Sequence, residues 1–263
     1  MILAVDVGNT NIVFAVFDGE IQLSEWRCQT SDRRTADEYG VWLLTLMQHA
    51  GLQASQIKAC VVGSVVPGAT FNLKRLCKSY LGLDAVVLGE PGGSIPIEAK
   101  IDTPSQAGVD RLVNAFEAYA RKPQAQIVLD FGTATTFDFV SEDGAYCGGA
   151  FAPGINLSVK ALYQVAARLP RVTVAKPQKV IGKSTVAAMQ SGIFWGYISL
   201  IEGLVQRMRD EYAAEQNYSG PISVLATGGL AVLFDAHTDI IDEIDPQLTL
   251  RGIKRVYETL YSD

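Results

Sequence analysis

Histidine is almost absent from this chain: two residues in 263, His49 and His237, both far from any glycine-rich or acidic motif. That scarcity excludes a histidine-based nucleophile relay and a Cys/His metal tetrad, and no GxSxG elbow occurs. Cysteine is equally sparse. Cys28, Cys60, Cys77 and Cys147 are scattered without a CxxC pair, which predicts reduced thiols rather than zinc ligands or disulfides. Basic charge is short as well, with 22 Lys and Arg against 28 Asp and Glu and a net charge of −6. No strong positive field is available to neutralise a phosphate backbone, so no nucleic-acid partner is expected. Long apolar runs are missing too: the longest, Gly192 to Val205, contains Glu202 and falls short of a membrane span. The opening Met-Ile-Leu-Ala-Val-Asp has no basic leader, and its apolar run ends at Asp6, unlike a secretory signal. The expectation is a cytoplasmic protein without membrane contact.

What is present is one motif, written twice. Near the start an apolar run feeds into Asp6-Val7-Gly8-Asn9-Thr10-Asn11, then the stretch Ile12 to Phe17 and a turn at Asp18-Gly19. In the second half Ile127-Val128-Leu129 feeds into Asp130-Phe131-Gly132-Thr133-Ala134-Thr135-Thr136, then Phe137 to Val140 and a turn at Asp143-Gly144. Each copy predicts a buried strand ending in a carboxylate, a tight glycine turn with hydroxyl or amide side chains, and an antiparallel return strand. A carboxylate holds a cation directly or through water, a glycine lets backbone N–H groups approach a phosphate, and threonines add donors. One such hairpin is ordinarily just a turn. Two in equivalent places predict a clamp for a nucleotide's phosphates, in a cleft between two domains.

The surrounding pattern supports two domains, 1–121 and 122–263, at ordinary domain size. The first reads as strands at 2–6, 11–17 and 20–27, a helix at 35–50, a strand at 58–64, a helix at 67–81, a strand at 85–88 and a helix at about 105–121. Asp37 and Glu38 suit the first turn of the 35–50 helix, and Gly51 is its natural stop. Leu88 to Ser105, rich in Pro and Gly, is a surface loop. After Pro123 the pattern restarts with strands at 126–130, 134–140 and 145–151, then helices, a strand at 222–226, a helix at 229–236 and a last helix at 247–262. Three meandering strands followed by alternating helices and strands, twice, is an α/β architecture with internal duplication. The longest helix is expected from Thr185 to about Tyr212. Its small residues Ala188, Ser191, Gly192 and Gly196 let another helix approach, either of the same chain or of a second subunit.

Three further motifs carry chemistry or imitate it. Gly108-Val109-Asp110-Arg111 opens a helix, where Asp110 favours the dipole; beside a phosphate cleft the same pair supplies a base and a cationic fork for a carboxylate or phosphate. Gly182-Lys183-Ser184-Thr185 imitates the end of a phosphate loop, but position 177 is Pro where the full pattern needs Gly, so that reading fails. Thr185 is left as the expected N-cap of the long helix. Thr227-Gly228-Gly229-Leu230 reads as a strand-to-helix turn, or as bare backbone against which an adenine or ribose lies.

Together these residues resemble type III pantothenate kinase: DVGNTNIVFAVFDG (6–19), GVDRLVNAFEAY (108–119), DFGTATTFDFV (130–140), GGAFAPGI (148–155) and ATGGLA (226–231), in order over nearly the whole chain. The resemblance implies an α/β, duplicated ribonuclease H-like (actin-like ATPase) fold, with two similar domains around a nucleotide cleft, and a homodimer. It implies ATP-dependent phosphorylation of pantothenate, the first step toward coenzyme A, with Mg²⁺ and a monovalent cation, K⁺ or NH₄⁺. On this likeness Asp6, Val7, Gly8, Asn9, Thr10, Asn11, Ile12 and Val13 hold ATP phosphates, with Asp6 near Mg²⁺, directly or through water. Asp110 is the proton acceptor, and Gly108, Val109, Asp110 and Arg111 contact pantothenate. Asp130 binds the monovalent cation, Thr133 contacts ATP, and Thr185 touches pantothenate. Two positions depart from the family. Ile101 stands where a substrate-contacting tyrosine is usual, and Gln106 replaces a frequent acidic residue. A nucleotide-binding regulator without kinase activity, and a kinase for another small alcohol or carboxylate, are the rival readings; intact Asp6, Asp110, Arg111 and Asp130 weigh against the first.

Overall fold

A computed structural model describes residues 1–165 and 169–261 of the chain. These fall into two compact units, Met1–Ala120 joined by the last helix, and Arg121–Pro246.

The first unit opens with the meander β1 (Ile2–Val7), β2 (Asn11–Asp18) and β3 (Ile21–Gln29), followed by α1 (Ala36–His49), β4 (Ala59–Ser64), α2 (Pro67–Leu76), β5 (Val86–Val87) and α3 (Val109–Arg121). Its sheet runs β3-β2-β1-β4-β5, with antiparallel β1/β2 and β2/β3 pairs and parallel β1/β4 and β4/β5 pairs. β1 is central and covered on both faces, which is why it reads as a nearly unbroken apolar run, whereas edge strand β3 alternates. Leu3, Val5 and Val7 face Tyr39, Leu43 and Met47 of α1 and Leu73 of α2. α1 starts at Thr35, whose Oγ accepts the Glu38 N–H at 3.3 Å while the Glu38 carboxylate accepts the Thr35 N–H at 2.7 Å. Just past its end Gly51 has φ of +74°, so the expected stop holds. The helix expected over 67–81 is α-helical only to Leu76, with Cys77–Leu81 wound as one π turn.

The second unit repeats the order: β6 (Gln126–Phe131), β7 (Ala134–Val140), β8 (Tyr146–Pro153), α4 (Ile155–Val165), α5 (Thr185–Gln216), β9 (Ser223–Thr227), α6 (Ala231–Asp235) and β10 (Glu243–Ile244). Its sheet runs β10-β9-β6-β7-β8, the first sheet's connectivity strand for strand, with the same alternation of antiparallel and parallel pairs. Ile127, Leu129 and Phe131 face Phe194, Ile198, Ile201 and Val205, which recur at helical spacing along α5. Two mixed five-stranded sheets with helices make this a duplicated ribonuclease H-like fold. Strand β10, absent from the sequence reading, completes the repeat.

The last helix, α7 (Leu248–Tyr261), belongs to the first unit although the sequence reading counted it with 122–263. Its stripe Leu250, Ile253 and Val256 packs with Ala4, Val61 and Val113 on the sheet face opposite α1 and α2. Gly252 permits the contact, since a Cβ there would lie 2.8 Å from the Val113 carbonyl oxygen. Residue 262 of the helix expected over 247–262 is outside the described residues.

Candidate active site

The first hairpin ends β1 at the carboxylate the sequence singled out. Strand alternation places Asp6 on the same face as Ala4, the face covered by α3 and α7. Asp6 is in register with Gly63 of β4, and a Cβ on Gly63 would meet the Ile253 Cδ1 at 2.9 Å and the Val109 Cγ1 at 3.8 Å. The start of α3 therefore lies beside the residue paired with Asp6, which brings Asp6 and Val109–Arg111 to one end of one face. The turn between them and β2 is held by the Gly8 N–H donating to the Asn11 carbonyl at 3.0 Å. Thr30, the residue after β3, secures it: its hydroxyl donates to the Gly8 carbonyl at 2.6 Å and its N–H to the Thr10 carbonyl at 3.0 Å. Asn9, Thr10 and Asn11 are exposed, so the turn is open to a ligand.

Asp110 sits in the first turn of α3, and its Oδ1 accepts the Arg111 backbone N–H at 2.9 Å. Gly108 makes that rotamer possible, because a Cβ there would approach the same oxygen to 2.5 Å. Burial pushes the Asp110 carboxyl above the usual carboxylate range, opposed by the Arg111 amide and guanidinium. A half-buried carboxyl with a raised pKa, beside a cation, suits a group that takes up a proton.

The second hairpin is the counterpart in the other unit. Asp130 is in register with Thr136 of β7 and Thr227 of β9, and the Gly132 N–H donates to the Ala134 carbonyl at 3.1 Å. Neither Gly8 nor Gly132 has a positive φ, so both positions offer bare access rather than an otherwise forbidden turn. Gly228 is different. Its φ is +89°, and a Cβ there would lie 2.7 Å from the Asp130 Oδ1 and from the backbone N and C of Phe131. The Asp130 carboxylate is thus seated against a space that only glycine leaves. Gly154, just ahead of α4, fits against the turn in the same way, 2.3 Å from the Thr133 carbonyl oxygen to its would-be Cβ. Thr133 is exposed, while Thr135 is buried and hydrogen-bonded to the Tyr197 hydroxyl.

The remaining expected residues stand apart. Ile101 is partly buried at a bend just before the 3₁₀ turn Pro104–Gln106. Thr185 is not the cap of α5. That place is taken by Ser184, whose Oγ accepts the Ala187 N–H at 3.2 Å, leaving Thr185 as the first helical residue, exposed. Either hydroxyl suits a cap; Ser184 holds the extended backbone that the position needs (φ −137°, ψ 162°). Nothing local in the sequence marks Gly63 or Thr30 as site residues, and the sequence suggests a turn or a bed for the nucleoside at Gly228, where the structure seats Asp130. The ATGGLA stretch carries a visible signal, a glycine pair after a strand, and Gly154 lies within the GGAFAPGI stretch (148–155).

Among the described residues no three His, Cys, Asp or Glu side chains gather around a possible metal ion. No described helix is long and apolar enough to cross a membrane. Along α5, Ala188, Gly192 and Gly196 line a groove of about 410 Å³ with Ser158 and Leu162 of α4. A Cβ on either glycine would meet nothing within 4 Å, so among the described residues neither glycine serves close packing within the chain.

The family model described as type III pantothenate kinase matches residues 2–207. A type III pantothenate kinase of Paramagnetospirillum magneticum is 51% identical over 257 residues, covering 98% of this chain and 96% of that one. One from Rhodospirillum rubrum is 52% identical over 253 residues, covering 96% of each. Among solved structures, a Campylobacter jejuni protein described as a Baf family transcriptional activator has a TM-score of 0.59 at 19% identity, covering 98% of both chains. The ROK hexokinase of Thermus thermophilus has a TM-score of 0.51 at 14% identity, covering 100% of this chain and 99% of that one. Those two likenesses concern the fold alone.

Proposed function

The chain belongs to the type III pantothenate kinase family, and on that premise we propose how its residues divide the work. It is a phosphotransferase with an alcohol acceptor, phosphorylating pantothenate in coenzyme A biosynthesis with ATP as donor. Phosphoryl transfer leaves a protein mainly positioning and charge stabilisation to supply. The segment Asp6 to Val13 holds the ATP phosphates, and the exposed turn tethered by Thr30 supports this. Thr133 contacts ATP from the second hairpin. Gly108, Val109 and Arg111 hold pantothenate, with the guanidinium of Arg111 as the fork for its carboxylate. Thr185 adds a contact, and Ile101 gives the pocket an apolar wall where the family usually has a phenol. Asp110 orients the primary hydroxyl and takes its proton as the bond to phosphorus forms.

Two ions fit the residues present. Asp6 is a single, partly exposed carboxylate, the kind of anchor that suits Mg²⁺ completed by phosphate oxygens and water. Asp130, seated against the space left by Gly228, suits K⁺ or NH₄⁺. When bound, these cations neutralise charge on the phosphates. The groove between α4 and α5, floored by glycines that nothing among the described residues covers, supports a homodimer joined through α5. A cytoplasmic location follows from the same reading.

The observation that carries the assignment is Asp110, desolvated, on the face and at the end of the sheet where Asp6 lies. Asp110→Asn tests it. A positioned base contributes about 10²–10⁴-fold, so turnover falls by that order while ATP binding and the fold persist. Near-normal turnover would remove Asp110 from the role.

A further inference from the structure

One turn along α3 from Asp110 stands Asn114. It is 1% exposed, and its Oδ1 has no hydrogen-bond partner among the described residues. A buried acceptor without a donor is costly and uncommon, so its retention calls for a reason. Helical side chains four apart are neighbours, with Cβ atoms roughly 5–6 Å apart, and each leans toward the helix N-terminus. Asn114 therefore leans toward Asp110. The carboxyl of Asp110 is fixed on one side, Oδ1 taking the Arg111 N–H at 2.9 Å. That amide favours the ionised carboxylate. A protonated carboxyl needs the opposite, an acceptor for its O–H, and the side-chain oxygen one turn away is an acceptor waiting for a donor.

We propose that Asn114 is a positioning residue for phosphoryl transfer: its Oδ1 receives the O–H of Asp110 once Asp110 has taken the proton of the acceptor alcohol. The inference rests on Asp110 being the base. In the step, the alcohol oxygen forms a bond to the γ-phosphorus and the bond from that phosphorus to the β,γ-bridging oxygen breaks. ADP leaves with the electron pair, and the alcohol proton passes to Asp110 Oδ2, which then donates to Asn114. The orphaned oxygen in the resting enzyme is the cost of having the acceptor in place beforehand. Asn114 also opposes ionisation, because a carbonyl oxygen facing a carboxylate disfavours the charged form. Other charged groups on α3 and the elements packed against it are Arg111, Glu117 and Arg121, Asp6 of β1, and Arg251, Lys254, Arg255 and Glu258 of α7. Arg111 is the one that acts on Asp110, and Glu117 is engaged by Arg255.

Asn114→Leu keeps the volume and removes the acceptor. The expected result is a fold at least as stable as the parent and KM values for ATP and pantothenate within about twofold. A lost hydrogen bond of ordinary strength lowers kcat roughly two- to tenfold. The acid limb of the kcat–pH profile moves to lower pH, because Asp110 without its acceptor is the stronger acid. An unmoved limb overturns the proposal, whether kcat is intact or lowered, and so does a rise confined to the pantothenate KM. If the leucine variant does not fold, Asn114→Ala carries the same expectation and the same refutation. Asp110→Asn, run alongside, separates the two claims. If it stays active, the base assignment fails; if it is dead and the Asn114 variant leaves the limb in place, only the present inference fails.

Discussion

Replacing Gly228 by alanine isolates the seat of Asp130, and its neighbour Gly229 is a built-in control. At Gly228 two costs add. A φ of +89° is one that an L side chain rarely adopts, and imposing it costs on the order of 1–2 kcal/mol. The new Cβ would lie 2.7 Å from the Asp130 Oδ1 and from the Phe131 backbone N and C, closer than packed atoms approach. Phe131 closes β6, so two of those three contacts are main chain in a central strand and cannot swing aside. Overpacking of this kind costs about 1–3 kcal/mol. Together, Gly228→Ala destabilises by roughly 2–5 kcal/mol, or about 5–15 °C in Tm for a chain of this size. At Gly229 an alanine Cβ meets nothing within 4 Å and φ is not positive, so Gly229→Ala shifts stability by no more than about 1 kcal/mol in either direction. Thermal unfolding of the two variants beside the parent gives the comparison. A titration of turnover with KCl, held at constant ionic strength with NaCl, then reads the site itself. Because the strain bears on the Asp130 carboxylate, Gly228→Ala requires more K⁺ for half-maximal activity, and Gly229→Ala does not. Equal stability of the two variants would refute the packing argument.

Two further expectations concern the first unit. Asp110 has a folded-state pKa above its unfolded one, so its contribution to stability is fully present below about pH 4 and is lost as pH rises through the folded value. Asp110→Asn, which stays neutral, is therefore at least as stable as the parent at pH 7, and the gap closes as pH falls toward about 4; a variant less stable at pH 7 contradicts this. Glu117 is fully buried and is held by Arg255 of α7 through Nε at 2.5 Å and Nη2 at 3.3 Å. Arg255→Ala strands that carboxylate and costs about 3 kcal/mol, the low end for a broken buried pair because Arg255 is itself partly exposed. The double change Arg255→Leu with Glu117→Leu recovers most of the loss in a chemical denaturation series, and failure to recover would mean that Arg255 acts through packing alone.

The hairpins were legible in the sequence because their information is local. Alternation fixes which side chains share a face, and Asp-x-Gly followed by hydroxyl residues marks the turn, so Asp6 and Asp130 fall at strand ends as expected. Asp110 was legible for a similar reason, as an acid in the first turn of a helix opened by Gly108. What was lost depends on distance along the chain. Nothing near Leu248 indicates that α7 packs on Ala4 and Val61, some 190 to 240 residues earlier in sequence order. Strand β10 is two residues, too short to show a period. The roles of Gly63, Gly154 and Gly228 lie in what their missing Cβ atoms would strike, in each case atoms of another element. Asn114 escaped because an unpaired carbonyl has no sequence signature.

The most direct measurement is ADP release by the purified chain with ATP and Mg²⁺, with and without pantothenate, in K⁺ and in Na⁺ buffer. The family assignment predicts turnover that requires pantothenate and is faster in K⁺. ADP release that is indifferent to pantothenate, or none at all from protein that binds ATP, would contradict it.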